Sequence, residues 1–179
     1  VPSNPADAKG LLKASIRDND PVIFMESEQM YGDKGEVPEG EYTIPLGVAD
    51  IKREGKDVTI VSYNKMMKIA LQAAEELAKE GISIEIVDPR TLRPLDEELI
   101  FQSVRKTNHC VVVQEAHANS SFGSEIVDRV QRACFDHLDA PIEKISSLDI
   151  PMPYALNLEA LVLPDEKRVI EAVKRTLYR

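Results

Sequence analysis

Hydrophobic residues follow two spacings that alternate along this chain of 179 residues. Short apolar, β-branched runs predict strands, whereas apolar residues three or four positions apart predict helices with one buried face. The predicted strands are 58–62, 82–88, 109–115 and 141–147. After the first of them, the apolar stripe Met67, Ala70, Leu71, Ala74, Leu77 and Ala78 predicts a helix of about 17 residues between Asn64 and Gly81.

The other three strands are also followed by helical patterns. These predicted helices run from Asp96 to about Arg105, over 122–138, and from Asp165 to the end of the chain. Four strand–helix units predict an α/β fold of three layers, α/β/α, with a mostly parallel sheet and right-handed crossovers. A turn at 54–57 predicts a hairpin that adds one antiparallel strand, 48–53, to this sheet.

The first part of the chain follows a different pattern. Residues 4–18 predict a helix, residues 21–27 a buried strand, and residues 31–47 a linker rich in Gly and Pro. A helix that leads into a strand is half of an α/β unit. We therefore expect residues 1–45 to be the end of a second α/β domain plus a linker, residues 46–179 to be a complete domain, and the chain to be a fragment or a processed product.

Several polar residues are predicted to end or begin these elements. Asn64, Asp96 and Asp165 are expected to cap helices, and Gly81 is expected to end one. In the stretch VDPRTLRPLD, residues 87–96, two prolines fix the backbone and remove hydrogen-bond donors, which is typical of a rigid corner. We expect Asp88 to balance Arg90 or Arg93 there, with a structural rather than a catalytic role.

Composition limits the classes of partner. The formal net charge is −9, which argues against binding nucleic acid or an anionic membrane surface and suits a basic protein partner. No apolar run approaches the roughly 20 residues of a membrane span. The two cysteines, Cys110 and Cys134, are interpreted as buried and structural, in a reducing compartment.

Motifs of catalysis are absent from the sequence. There is no G-x-S-x-G, no phosphate-binding loop and no G-x-G-x-x-G after a strand, so we predict no catalytic, cofactor-binding or metal-binding residue. Glu115 and His117 follow a strand at the edge where α/β crevices open, but neither has a partner that the sequence places beside it. Their roles stay open. Ser120 or Ser121 is expected to cap the helix beginning at SSFGSE rather than to help hold an anion.

Several segments, in order, resemble the β subunits of the E1 component of 2-oxo-acid dehydrogenases. The most specific are VDPRTLRPLD and LDAPIEKISSLDIPMPYA, and pyruvate dehydrogenase members are the nearest match. The resemblance implies an α2β2 enzyme that uses thiamine diphosphate and Mg²⁺ to decarboxylate pyruvate and passes the acetyl group to a lipoyl arm of the E2 acyltransferase. It also implies that this segment alone binds neither cofactor and is inactive, since no position matches the family's catalytic Glu and His.

The resemblance further implies partners and a docking surface. The expected partners are the E1 α subunit, a second β subunit and the basic subunit-binding domain of E2. Asp139 and the terminal carboxylate of Arg179 match the positions that receive basic groups of that domain. The expected location is a bacterial cytoplasm, with a mitochondrial matrix as the alternative. Two other interpretations remain: a branched-chain 2-oxo-acid dehydrogenase E1 β subunit, and a non-catalytic α/β interaction domain.

Overall fold

Five strands form one sheet in the computed structural model, which describes residues 1–179. The strands are β1 (Asp50–Arg53), β2 (Val58–Ser62), β3 (Ile84–Asp88), β4 (Cys110–His117) and β5 (Glu143–Ser147). Their order across the sheet is β1-β3-β2-β4-β5. Only β1 runs antiparallel to its neighbour, and the other three pairings are parallel.

Six α-helices accompany the sheet: α1 (Pro5–Arg17), α2 (Met66–Lys79), α3 (Glu97–Thr107), α4 (Phe122–Cys134), α5 (Leu156–Val162) and α6 (Glu166–Thr176). Two short 3-10 helices lie at Glu28–Met30 and Phe135–His137. The second of these replaces the end of the helix predicted for 122–138. Helix α5 was not predicted. None of the helices is both long and apolar enough to cross a membrane.

Two apolar cores lie on opposite faces of the sheet. Helices α2 and α6 pack on one face, where Ile60 of β2 and Ile86 of β3 are buried. Helices α3 and α4 pack on the other, where the next residues along those strands, Val61 and Val87, are buried. Successive strand residues point to opposite faces, so both faces need apolar cover. The predicted three-layer α/β/α fold is confirmed.

The hairpin predicted at 54–57 is wrong. Strand β1 does join the sheet in the antiparallel sense, but it pairs with β3, which lies between β1 and β2. The connection therefore crosses the start of β3, where the backbone N–H groups of Lys56 and Asp57 donate to the Ser83 carbonyl at 3.2 and 2.8 Å. A Cβ atom on Gly55 would lie 2.1 Å from the carbonyl carbon of Ile84, so glycine permits this close crossing.

A buried acid secures the same crossing. Glu85, only 1% exposed, accepts hydrogen bonds from the Ser103 hydroxyl at 2.6 Å and from the Gly55 N–H at 3.3 Å. It also pairs with the Lys106 ammonium. Burial alone would raise the pKa of Glu85, but these partners together lower it. The Glu85 carboxylate, on β3, is therefore bonded both to the β1–β2 connection and to helix α3.

The strand predicted at 21–27 is also wrong. These residues contain no strand, and Ile23 is 88% exposed. A strand requires a neighbouring chain for its backbone hydrogen bonds, and no strand of this chain lies beside the segment. The preceding helix is present as predicted and packs through Gly10 against Ile44, where an added Cβ would approach within 2.6 Å. The domain boundary at 45/46 stays a prediction.

Three of the four predicted helix-terminal residues are confirmed. Asp96 and Asp165 accept from the backbone N–H groups three residues later, and Gly81 follows α2 with φ +78°. Asn64 does not cap α2. It lies in the left-handed region with φ 56°, and its side chain accepts from the adjacent N–H of Lys65. The cap position is Lys65, so the helix begins at Met66, one residue later than the pattern suggested.

We predict that Gly55→Ala lowers the free energy of unfolding by about 2 kcal/mol or more, because the methyl group would meet the β3 backbone, which has no room to move. Urea denaturation followed by circular dichroism measures the change. Gly32→Ala is the matched control, since an added Cβ there has no atom within 4 Å. Its unfolding free energy should change by less than about 0.5 kcal/mol. Equal midpoints for the two variants would contradict this account of the crossing.

Candidate partner-binding surface

The predicted partner-binding residues lie at the edge of the sheet where the parallel strands begin. Asp139 precedes β5 and is exposed, and its N–H donates to the carbonyl of Asn108, just before β4, at 3.0 Å. Arg179 follows α6 and is also exposed, with its N–H donating to the Lys174 carbonyl at 2.9 Å. We call this the amino edge.

One residue that the sequence analysis missed joins these two places. The hydroxyl of Tyr178 donates to the backbone carbonyl of Asp139 at 3.2 Å, across 39 positions of sequence. The end of α6 is thereby held beside the turn that carries Asp139. The Asp139 carboxylate takes part in none of the ion pairs of the chain and is free to meet a cation from outside.

A polar cavity opens at the same edge. It has a volume of about 290 Å³ and is lined in part by Lys56, Asp57, His109 and Arg179. The Asp57 carboxylate already bonds within the chain, because it accepts from the Ser83 N–H at 2.7 Å. The Arg179 side chain forms no ion pair within the chain. The amino edge therefore offers exposed charges of both signs that other parts of the chain do not neutralise.

The opposite, carboxyl edge is built around Gln114, which is fully buried. Its amide nitrogen donates to the hydroxyl groups of Ser121 and, at 3.0 Å, Ser146. Its oxygen accepts from the N–H of Gly123 at 2.7 Å and from the hydroxyl of Tyr63 at 3.1 Å. Ser121 lies at the predicted N-cap, but its side chain does not cap α4. Since the Gly123 N–H at the start of α4 donates to Gln114, this N–H is not available to bind an anion.

The two acid–base candidates lie apart from any catalytic arrangement. Glu115 accepts from the Lys65 ammonium at 2.8 Å, and Lys65 also donates to Gln29 at 2.8 Å. The exposed His117 has its Nδ1 atom 3.0 Å from the Leu148 carbonyl oxygen. Nucleophile–base pairs require a hydrogen bond between the reacting side chains, and these contacts hold loops instead. The geometry favours structural roles for both residues.

The corner after β3 is a charged cluster that fastens α1 to the sheet. Arg90 donates to Asp7 and Asp50, both at 2.9 Å, and Lys52 donates to the same two carboxylates at 2.5 and 2.7 Å. The predicted pairing of Asp88 with an arginine side chain is wrong. Asp88 accepts the backbone N–H of Arg90 at 2.9 Å and no hydrogen bond from an arginine side chain. The Arg90 side chain donates instead to Asp7 and Asp50, the two carboxylates that also accept from Lys52.

Asp88 is left with one buried oxygen that has no hydrogen-bond partner. Its side chain is fully buried, and the Lys52 ammonium lies 3.9 Å from Oδ2. Ser62, the last residue of β2, also has a buried side-chain oxygen with no hydrogen-bond partner. It follows Val61 just as Asp88 follows Val87, and Val61 and Val87 are paired across β2 and β3. Burial raises the pKa of Asp88 to about 6, against the opposing effects of the Arg90 N–H, the Ser3 hydroxyl and Lys52.

The family model described as transketolase, C-terminal domain, matches residues 47–169. The chain belongs to this family. Its fold agrees with a solved structure titled "Split gene transketolase, inactive beta4 tetramer", with a TM-score of 0.75 and 24% identity over 99% of this chain and 56% of that chain. At that identity the likeness shows the fold alone.

The resemblance to E1 β subunits is confirmed by more similar relatives. The chain is 49% identical over 183 residues to the pyruvate dehydrogenase E1 component subunit beta-2, mitochondrial, of Oryza sativa subsp. japonica, covering 100% of this chain and 49% of that protein. It is 50% identical over 180 residues to the pyruvate dehydrogenase E1 component subunit beta of Rhizobium meliloti, covering 100% of this chain and 39% of that protein.

A relative with a different name is equally similar. The acetoin:2,6-dichlorophenolindophenol oxidoreductase subunit beta of Bacillus subtilis is 49% identical over 177 residues, covering 99% of this chain and 52% of that protein. The chain spans about half the length, or less, of the curated relatives it matches. All three of these relatives are named as subunits of multi-subunit enzymes, and their names differ in substrate.

We predict a pH-dependent penalty at Asp88. Its folded pKa of about 6 exceeds the ordinary value of 3.8, so the folded state binds this proton more tightly and stability falls as pH rises from about 4 to 6 and above. Asp88→Asn stays neutral. Its unfolding free energy, relative to the unmodified chain, should increase by about 2 kcal/mol between pH 4.5 and 7.5.

Urea denaturation at a series of pH values measures this difference. The exposed Asp20 supplies a control, since Asp20→Asn replaces an exposed carboxylate by the same amide. The control should show a difference that hardly varies over that range. A difference for Asp88→Asn that stays constant with pH would mean that Asp88 is ionised at no cost in the folded chain.

Proposed function

We propose that this chain is the C-terminal part of the β subunit of a thiamine-diphosphate-dependent pyruvate dehydrogenase E1. The assembled enzyme would decarboxylate pyruvate and transfer the acetyl group to a lipoyl group of E2. The observation that carries the proposal is the identity of 49–50% over the whole chain to two subunits of that name. The role of this segment is subunit association and E2 docking, and alone it is inactive.

We propose that the Mg²⁺ centre of the enzyme lies outside this segment. No group of three or more His, Cys, Asp or Glu side chains is close enough together to hold a metal ion. In the proposed enzyme, thiamine diphosphate and Mg²⁺ are held by other parts of the assembly. They supply the decarboxylation chemistry when bound, and this segment supplies surfaces.

The docking proposal places the basic domain of E2 at the amino edge. An exposed carboxylate without an internal cation, at Asp139, attracts a basic side chain from outside. The overall charge of −9 adds long-range attraction, which raises the association rate with a basic partner. The Arg179 side chain lines the neighbouring cavity. We propose that Asp139 and Arg179 both take part in receiving the partner.

The association proposal places the second β subunit and the α subunit on exposed apolar surface. Beyond β5, the segment 148–161 carries a series of exposed large apolar side chains: Leu148, Ile150, Met152, Tyr154, Leu156, Leu158 and Leu161. The exposed segment 21–31 lies beside it, since Gln29 donates to Glu159 at 3.4 Å. Many exposed large apolar side chains within one segment are typical of subunit interfaces.

A second candidate substrate is acetoin, because the Bacillus subtilis relative named for that compound is as similar as the pyruvate dehydrogenases. The relatives include both mitochondrial and bacterial proteins. We propose a bacterial cytoplasm for this chain, with a mitochondrial matrix as the alternative. The branched-chain assignment has no observation that favours it over these two.

We predict that this chain restores pyruvate dehydrogenase activity when it replaces the matching part of the Rhizobium meliloti β subunit and the chimera is co-expressed with the α subunit of that organism. The matched control replaces the same part of the Bacillus subtilis acetoin oxidoreductase β subunit. Light scattering measures assembly, and substrate-dependent decarboxylation or acetoin oxidation measures activity.

Only the first chimera is expected to assemble and to be active, and the isolated chain should have no activity. Assembly of the second chimera alone would move the assignment to acetoin. Assembly of neither would favour a non-catalytic interaction domain. Activity of the isolated chain would contradict the division of labour proposed above.

We predict that Asp139→Ala weakens binding of an isolated E2 subunit-binding domain by about 2–5 kcal/mol, as loss of one member of an interfacial charge pair does. Titration calorimetry measures the affinity. Asp136→Ala is the matched control, an exposed acid in the preceding 3-10 helix. It should reduce only the long-range attraction, with an effect that disappears at high salt. Unchanged affinity in Asp139→Ala would remove this residue from the dock.

A further inference from the structure

Helix α6 ends with an unusual residue. Tyr178 follows the helix with φ 56°, in the left-handed region, and its N–H donates to the Arg175 carbonyl at 3.1 Å. Glycine is the usual residue where a helix ends in this conformation, because a Cβ atom is crowded there. A side chain as large as tyrosine is strained in this conformation, and such strain is concentrated at functional positions.

The tyrosine ring is held in place and yet remains available. Its exposed fraction is 76%, while its hydroxyl donates to the Asp139 carbonyl at 3.2 Å. The backbone of Asp139 is fixed at its other end, since its N–H donates to Asn108. A rigid aromatic surface loses little conformational entropy when it is covered, and tyrosine is among the residues enriched at energetically dominant interface positions.

Other exposed tyrosines lack this arrangement. Tyr154 is fully exposed and its hydroxyl forms no hydrogen bond within the chain. Tyr31 donates to Glu26 at 3.0 Å, and so is bonded to a side chain rather than to the backbone beside a free carboxylate. Tyr178 alone combines a fixed ring with a neighbouring acid that has no internal ion pair.

We propose that the Tyr178 ring and the Asp139 carboxylate together receive one cationic side chain of the basic partner, with arginine the best fit. This inference rests on the docking function proposed above. A guanidinium is planar, stacks on an aromatic face and pairs with a carboxylate at the same time. Tyr178 thus acts both as a binding surface and, through its hydroxyl, as a positioning residue for the Asp139 turn.

The experiment compares Tyr178→Phe, Tyr178→Gly and Asp139→Asn, with Ile16→Ala as the control for loss of an exposed large side chain, since Ile16 on helix α1 is 73% exposed. Titration calorimetry with an E2 subunit-binding domain measures affinity at low and high salt. Tyr178→Gly should bind about tenfold more weakly. Tyr178→Phe keeps the ring and should lose about threefold or less through a looser Asp139 turn. Ile16→Ala should bind as the unmodified chain does.

Salt and a double variant distinguish a shared receptor from two separate contacts. The loss in Asp139→Asn should shrink as salt rises, whereas the loss in Tyr178→Gly should persist, because screening weakens ion pairs more than ring contacts. In Tyr178→Gly combined with Asp139→Asn, the loss should be smaller than the product of the two single losses, since both remove contacts to one cation. The melting temperature of Tyr178→Gly should not fall, because glycine relieves the left-handed conformation.

Each outcome bears on one proposal. Weaker binding in Asp139→Asn together with unchanged binding in Tyr178→Gly would overturn this inference and leave the docking function standing. Multiplying losses in the double variant would also overturn it, because the two residues would then contact different groups. Unchanged binding in both single variants would remove the docking function itself.

Discussion

The central strands of this sheet are covered on both faces, and this constraint determines where anything else can lie. Residues of β2 and β3 point alternately into two apolar cores, one under α2 and α6 and the other under α3 and α4. Neither face has room for a ligand or a charged partner. Polar groups that can still bind something outside the chain are therefore confined to the two edges of the sheet, where the strands begin and end.

The two edges are used differently. At the carboxyl edge most polar groups bond within the chain, in the Gln114 network and in the cluster in which Asp7, Lys52 and Arg90 join helix α1 to the sheet. The exceptions are one oxygen each of Asp88 and Ser62, which are buried and so are closed to a partner. A buried ion cluster of this kind specifies geometry more than it adds stability. At the amino edge, Asp139 and Arg179 keep charges that no other part of the chain neutralises. This asymmetry supports an interaction role for the amino edge.

Periodicity was sufficient to predict most of the fold, because the helices and parallel strands bury one stripe or two full faces and so leave regular patterns. The pairing of β1 was not accessible in this way. The sequence of the turn at 54–57 is compatible with two arrangements, in which β1 pairs with β2 or with β3. The close contact of Gly55 with the backbone of β3 distinguishes the second arrangement from the first, and it is visible only in the structure. Residues 21–27 have the composition of a strand, but local composition does not show whether another strand is available to pair with them.

The candidate site was predicted in part. Asp139 and Arg179 came from a family resemblance, since nothing in their local sequence distinguishes them from ordinary turn and terminal residues. Tyr178 was missed, although a signal existed: a helix ends there without the glycine that usually follows. That signal acquires meaning only when the chain brings residue 178 next to residue 139, which depends on long-range packing of α6 on the sheet.

The crossing of residues 54–57 over β3 also constrains how the chain reaches its native state. Strands β1 and β2 are sequence neighbours joined by a short turn, so a local hairpin between them closes quickly. Such a hairpin occupies the place of β3, whose residues arrive almost thirty positions later. Productive folding requires that the pair stay open until β3 inserts, which ties the rate of sheet formation to a non-local event. Glu85, which lies on the inserting strand and bonds the crossing turn, favours the correctly threaded arrangement over the prematurely closed one.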